Sequence, residues 1–368
     1  MTSSDSECEF TFGEGIEYAL QEISIDSQDR QIFTRDAQTI QNAFIQAISR
    51  YDPTFKNAFR GLSLGGSFLD DIRIELPDEF DMHVKIVLPF EVEPIRVSNY
   101  PGYVFLRVGN RYARHHCIQT YGADGKFINR ELIQTWFRTN ISAVMNELQN
   151  IRCGNRSYSL KYTAHGYGVA HTLVATERRR RHRKIYFDFV PVFEFEACEW
   201  PRHFSRVPNA GRTWLAVPRK YMGKNVNDSR SFMVCAPHWE RLVLHKKQNL
   251  KDSLRLMKAF RNANDMPHLV SYMIKTLYLN AVEERKTNWN QAPGRILIRL
   301  MVELLMDLLD GFQEFYLAPD HNNFSNISRE EIQEYKRIVG RTLKKLISRR
   351  NADYLTWDDL SNFFGVEC

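Results

Sequence analysis

Apolar residues recur along this chain with two different periods, and the change of period divides it. Phe33, Ala37, Ile40, Phe44, Ala47, Ile48 and Tyr51 follow one another at three- and four-residue steps, the spacing of a helix with one buried face. Asp52-Pro53 then predicts its end, because the residue before a proline is biased away from helical backbone. A short strand is expected over Phe59–Leu64, delivering the turn Gly65-Gly66-Ser67. Further on, Phe80, Met82, Val84 and Ile86 alternate with Glu79, Asp81, His83 and Lys85. That period of two is a half-buried strand, apolar on one face and polar on the other.

Val104–Val108 reads as another strand, Leu132–Ile151 as a second amphipathic helix, and residues 157–196 as further alternating strands. Pro201–Lys224, rich in proline, arginine and aromatics, reads as a crossing between two lobes. After about residue 230 the period is helical, in Leu254–Met257, Leu269–Leu279 and Ile296–Leu309, and Ser328-Arg329-Glu330-Glu331 has the form of a capping box. Mixed elements followed by nearly continuous helix predict an α+β protein. The expected organisation is an acidic segment over 1–30, a lobe with a mixed β-sheet and a long N-terminal helix over 31–215, and a helical lobe over 216–368.

Composition narrows the class. The net charge of +6 is unevenly spread, since Asp5, Glu7, Glu9, Glu14, Glu17, Glu22, Asp26 and Asp29 crowd the start. The remainder is therefore more basic than the total, as suits a nucleotide or nucleic-acid partner. The six cysteines, Cys8, Cys117, Cys153, Cys198, Cys235 and Cys368, include no CxxC pair, which argues against a disulfide scaffold or a zinc site and for reduced thiols in the cytoplasm. No N-terminal stretch resembles a signal peptide. The apolar run Ile296–Leu309 is interrupted by Arg299, Glu303 and Asp307, so no membrane span is expected.

The chemistry concentrates around the glycine turn. Glu79 and Asp81 share the polar face of their strand, and two oxygen ligands side by side suit a hard divalent cation that keeps positions open for phosphates. A third acid, Asp188, interrupts the apolar alternation of Ile185, Phe187 and Phe189. Either it joins the pair around cations, or it caps its strand or pairs with the basic run Arg178–Lys184. A glycine turn that lets backbone approach a phosphate, followed by paired acids, points to a nucleotidyltransferase.

The order Gly66-Ser67, Glu79-Phe80-Asp81-Met82 and then Asp188 resembles the cyclic GMP-AMP synthase family, in particular the insect cGAS-like receptors. Ala58-Phe59-Arg60-Gly61 and Pro77-Asp78-Glu79-Phe80-Asp81 are similar to that family's flanking sequence. So are Pro237-His238-Trp239-Glu240, Asp252–Lys258 and Ser271-Tyr272-Met273-Ile274-Lys275-Thr276 in the second half.

The resemblance implies a bilobed nucleotidyltransferase fold whose long N-terminal helix is a spine. It implies two Mg²⁺ or Mn²⁺ ions on Glu79, Asp81 and Asp188, and ATP and GTP joined into cyclic GMP-AMP. Gly66, Ser67, Pro237, His238, Trp239, Glu240, Lys258 and Ser271, Tyr272, Met273, Ile274 and Lys275 would contact nucleotides. Lys258 and Lys275 would offset phosphate charge, and Tyr272 would stack on a base.

The sequence departs from the vertebrate enzymes in two places. His245–Lys251 holds no cysteine where they carry a zinc-binding insertion, so no structural zinc and an activator other than DNA are implied. Met233 stands near the position of an arginine that stacks on a base there. Double-stranded RNA is the implied activator, with Lys246, Lys247, Lys251 and Arg255 as its contacts and a STING-type receptor reading the product. An RNA-activated synthetase of linear 2′–5′ oligoadenylates and a catalytically silent binding protein are the alternatives.

Overall fold

The computed structural model describes residues 10–24, 27–66, 79–112, 114–163, 169–179, 183–201, 204, 213–221, 228–284 and 288–367. The chain divides into two compact units, one of residues 26–69 and 76–239, the other of residues 1–25, 70–75 and 240–368.

The first unit is built on a mixed sheet. Its strands are β1 (Phe59–Leu64), β2 (Glu79–Ile86), β3 (Val92–Arg96), β4 (Tyr103–Val108), β5 (Gly122–Ala123), β6 (Phe127–Ile128), β7 (Ile151–Cys153), β8 (Arg156–Thr163), β9 (His171–Glu177), β10 (Lys184–Glu196), β11 (Thr213–Val217) and β12 (Ser231–Cys235). Neighbours run β5-β6-β4-β12-β11-β10-β9-β8-β7, with β2 joining β10 and β1 joining β2. The β2–β10 pair is parallel, whereas β10 meets β9 and β11 antiparallel.

The period-two pattern buries the face it predicts. Phe80, Met82 and Val84 of β2 and Ile185, Phe187 and Phe189 of β10 share one core with Phe33, Ala37, Ile40, Phe44, Ala47 and Ile48 of the Ser27–Tyr51 helix. Phe44 and Phe189 meet with ring centroids 4.4 Å apart. Truncating either ring to alanine would cost about 3–5 kcal/mol. The helix stops where expected: Asp52 caps the next one, Pro53–Ala58, by accepting the Thr54 N–H, and its other oxygen accepts from Trp136 and Asn140. A second tie joins helix to sheet, where buried Asp36 receives Arg156 in a bidentate pair at 2.6 and 2.9 Å and the Tyr158 hydroxyl at 2.8 Å.

Four local expectations are corrected. Tyr51, the last residue of its helix, is 55% exposed rather than buried. The second helix spans Arg130–Val144, with Ile151 opening β7. Pro201–Lys224 is not simply a crossing, since it contains β11, and β12 follows after residue 230. The sheet unit consequently continues to Trp239 rather than 215, because cross-strand pairs such as Ala216↔Val234 and Phe232↔Val104 hold β11 and β12 in the sheet.

The second unit is mainly helical: Phe12–Glu22, Gln248–Ala263, Ser271–Glu284, Pro293–Asp310, Arg329–Ala352 and Trp357–Phe364, with one hairpin of β13 (Glu314–Phe315) and β14 (Ala318–Asn322). Thr11 and Glu14, and Ser328 and Glu331, form reciprocal capping boxes. The acidic N-terminal stretch is no separate segment from Phe10 onward. Phe10 bridges to Leu355, and Phe12, Ile16 and Ala19 are buried. Among the described residues no helix is long and apolar enough to cross a membrane.

Candidate active site

Pleating and register together assemble the acids. Since Phe80, Met82, Phe187 and Phe189 take the core face, Glu79, Asp81 and Asp188 project from the other. The parallel register sets Asp81 opposite Asp188 and Glu79 opposite Tyr186. One oxygen from each of Glu79, Asp81 and Asp188 lies within 4.8 Å of the others, with Glu79 exposed and both aspartates half-buried. Like charges facing one another across strands are unfavourable; a cation reverses the sign of that term. The donor set is all carboxylate, the choice of hard divalent ions.

The turn before β2 is fitted to this cluster. The Gly65 N–H donates to the Asp81 carbonyl at 2.9 Å. Gly66 has φ +62°, and a Cβ built there would fall 1.7 Å from Asp81 Oδ2. A glycine is required both for its left-handed backbone and for the space the carboxylate occupies. Ser67, the next expected contact, lies outside the described residues, as do Arg180, Arg181 and His182 of the basic run.

Thr172, which the sequence reading missed, positions Asp188. Its hydroxyl donates to Asp188 Oδ1 at 2.6 Å from the neighbouring strand β9. Behind it, buried His171 lies 2.6 Å from Gln134 Oε1 and 2.8 Å from the Tyr162 hydroxyl. Gln134 gives its amide N–H to the Val169 carbonyl, so its oxygen faces the ring. The imidazole therefore donates through Nε2 and accepts through Nδ1. Burial pushes its pKa down to about 4, assisted by Arg138. Nothing in the spacing of residues 163–177 marks Thr172, because its role follows from a strand pairing.

Ser63 on β1 and His238 at the start of the Pro237–Val243 helix are 3.1 Å apart. Pro237 and Trp239 are buried.

In the helical unit the expected nucleotide contacts are differently occupied. Glu240, 1% exposed, accepts the Tyr272 hydroxyl at 2.8 Å and pairs with Lys275 at 2.7 Å. The Lys275 charge is thus balanced within the protein. Lys258 is 4% exposed on the inner side of its helix. Met273 and Ile274 are core residues, and Ser271 accepts from Arg261 at 3.0 Å.

The basic face is also partly committed. Arg255 pairs with Asp252 at 2.6 Å, and Lys247 donates to the Val243 carbonyl at 2.7 Å. Partial burial lowers the Lys247 pKa. Lys246 is exposed, Lys251 is half-buried, and neither has an ion pair among the described residues. In the basic run, Arg183 is mostly buried, stacked 3.9 Å over Phe33 and donating to the Tyr158 hydroxyl at 3.0 Å.

A second group of potential metal ligands, His115, His116 and Cys117, also falls within 4.8 Å. There His115 Nδ1 accepts the Cys117 N–H at 3.2 Å, which leaves the proton on Nε2 and spends the ring as a helix cap.

Comparison with known proteins agrees with this geometry. Residues 68–255 match the Mab-21 protein nucleotidyltransferase domain, and residues 249–341 the Mab-21 protein HhH/H2TH-like domain. The chain is 50% identical over 359 residues to a cyclic GMP-AMP synthase-like receptor of Drosophila eugracilis, covering 97% of this chain and 96% of that one. It is 37% identical over 333 residues to a cyclic GMP-AMP synthase-like protein of Drosophila melanogaster, covering 89% and 91%. A cyclic GMP-AMP synthase-like receptor of Tribolium castaneum matches at 23% identity over 343 residues, covering 88% and 86%. With an α+β fold, a nucleotidyltransferase domain and this extent of identity, the chain belongs to the cyclic GMP-AMP synthase-like family.

Proposed function

We propose that this protein is a nucleotidyltransferase that joins ATP and GTP into a cyclic dinucleotide, cyclic GMP-AMP, when double-stranded RNA binds it. The observation that carries the reading is the in-register placement of Asp81 beside Asp188, with Glu79 completing a three-carboxylate cluster and Gly66 shaped to its oxygens. Two Mg²⁺ or Mn²⁺ ions held there would stabilise the developing charge on the attacking ribose oxygen and on the departing pyrophosphate.

The remaining work falls to the chain itself. The Gly65 N–H is spent on the Asp81 carbonyl, so the Gly66 N–H is the group of this turn that would meet a donor triphosphate. Thr172 fixes the Asp188 carboxyl by occupying Oδ1, so the orientation of its second oxygen is set before substrate arrives. That oxygen is the group we assign to drawing the proton from the attacking hydroxyl. Tyr272, whose hydroxyl is anchored on Glu240, offers its ring for stacking. A linear dinucleotide that turns round in the same site would cyclise by the same chemistry.

Double-stranded RNA is read mainly through backbone phosphates and 2′-hydroxyls, which suits Lys246 and Lys251 better than the already paired Arg255. The relatives' name supports a receptor role; antiviral innate immunity as its setting, the cytoplasm as its place and a STING-type cyclic-dinucleotide receptor as reader of the product are part of the same proposal.

The test is incubation of the purified chain with labelled ATP and GTP and divalent metal, alone or with double-stranded RNA or double-stranded DNA, followed by chromatography. A nuclease-resistant cyclic product that depends on RNA and disappears in Asp81→Asn is expected. A ladder of oligoadenylates would replace the cyclase reading with a linear synthetase. Absence of any product would leave a binding protein.

A further inference from the structure

Several cationic side chains in the helical unit are already paired with carboxylates of the chain. Lys275 is held by Glu240, Arg255 by Asp252, and Lys345 and Arg349 by buried Asp359. Arg295, Arg299 and Arg350 differ. They line one cavity of about 960 Å³, and none has an ion pair among the described residues. Arg295 and Arg299 are four residues apart on the Pro293–Asp310 helix and therefore share a face. Arg350 comes from the last turn of the Arg329–Ala352 helix. Arg299 is half-buried, its guanidinium 5.7 Å over the Trp289 ring. That contact holds the side chain while leaving its donors for another group.

The opposing charges in the cavity do not cancel this set. Glu17 and Asp353 are its acids, and Asp353 Oδ1 already accepts the Phe12 N–H at 3.3 Å. Phe12, Ile16 and Ile298 supply an apolar wall. The volume is that of a small-molecule site, in which a few placed polar groups lie beside apolar surface. Guanidinium forks match phosphate oxygens in geometry as well as charge.

We propose that this cavity binds a small polyphosphorylated molecule, with its phosphates held by Arg295, Arg299 and Arg350. The site is built entirely from residues of the helical unit and uses none of the acidic triad. It is therefore a second ligand site, independent of nucleotidyl transfer. A ligand seated there bridges the Phe12–Glu22, Pro293–Asp310 and Arg329–Ala352 helices, and so stabilises that unit by mass action.

Isothermal titration of the full chain in excess EDTA, which removes metal-dependent triphosphate binding at the triad, tests this. Inorganic tripolyphosphate, ATP and inositol hexakisphosphate are separate arms that identify the source of the phosphates. At least one arm is expected to bind and to raise the melting temperature. The double variant Arg295→Gln/Arg350→Gln, which alters two exposed side chains, should weaken that binding at least tenfold. Asp81→Asn should leave it unchanged, and Arg299→Lys, which keeps the charge, should retain part of it. The proposal is overturned if no arm binds at millimolar concentration, if the double variant binds as the wild type does, or if only double-stranded RNA, and no small polyphosphate, competes for these arginines.

Discussion

Removing the Glu240 charge tests how the helical unit is held together. Glu240 and Lys275 side chains are 2% and 7% exposed, with 2.7 Å between Oε2 and Nζ, and the second carboxylate oxygen accepts the Tyr272 hydroxyl. Glu240→Gln preserves volume and still offers Tyr272 an acceptor. Its single large effect is to take the carboxylate charge away from the buried Lys275 ammonium. Breaking a buried pair on one side costs about 3–5 kcal/mol, which for a unit of this size lowers the melting temperature by roughly 6–20 °C. Scanning calorimetry of the full chain measures it. The double variant Glu240→Leu/Lys275→Met removes both charges and should recover most of the loss, since a packed apolar pair can match a buried ionic one. A Glu240→Gln protein melting within about 1 °C of wild type, or a double variant no better than the single one, would refute the buried-pair account. The outcome also bears on chemistry, because a Lys275 bound to Glu240 carries little net charge toward a phosphate.

Gly66→Ala should damage the site more than the fold. Its Cβ would sit 1.7 Å from Asp81 Oδ2 at φ +62°. The backbone strain costs about 1 kcal/mol, while the displaced carboxylate should weaken Mn²⁺ binding by about tenfold, as read by electron paramagnetic resonance; unchanged Mn²⁺ affinity would contradict it. His171 predicts a pH window for the sheet unit. Its folded pKa of about 4 lies below the ordinary 6.5, so its contribution is complete above that ordinary value and is lost as pH falls through it toward about 4. The loss is about 3 kcal/mol by linkage. His171→Gln should flatten that part of the stability profile in calorimetry between pH 7 and pH 4, and a slope identical to wild type would count against it.

Local pattern and tertiary structure contributed unequally to what could be read. Residues 33–48 and 79–86 declared their buried faces, since side-chain direction along a helix or strand follows from backbone geometry. The same geometry put Glu79 and Asp81 on one face and made Asp188 conspicuous as an acid in an apolar strand. The capping box at Ser328 was equally local. β11 and β12 were obscured, because a five-residue strand beside proline- and arginine-rich chain carries little period of its own and is held by its neighbours.

Alternation by itself determines a face and says nothing of the partner strand or the register. The sequence alone therefore established an α+β chain with three acids available to a divalent ion and a glycine turn before them. Only the tertiary structure decided that Asp81 stands opposite Asp188, that Thr172 orients the latter, and that Gly66 has no room for a Cβ. It also decided that Lys275 and Arg255 answer carboxylates of their own chain while Arg295, Arg299 and Arg350 gather round one cavity. Charge is a property of composition, but whether a charge is already balanced depends on contacts between residues far apart in the chain.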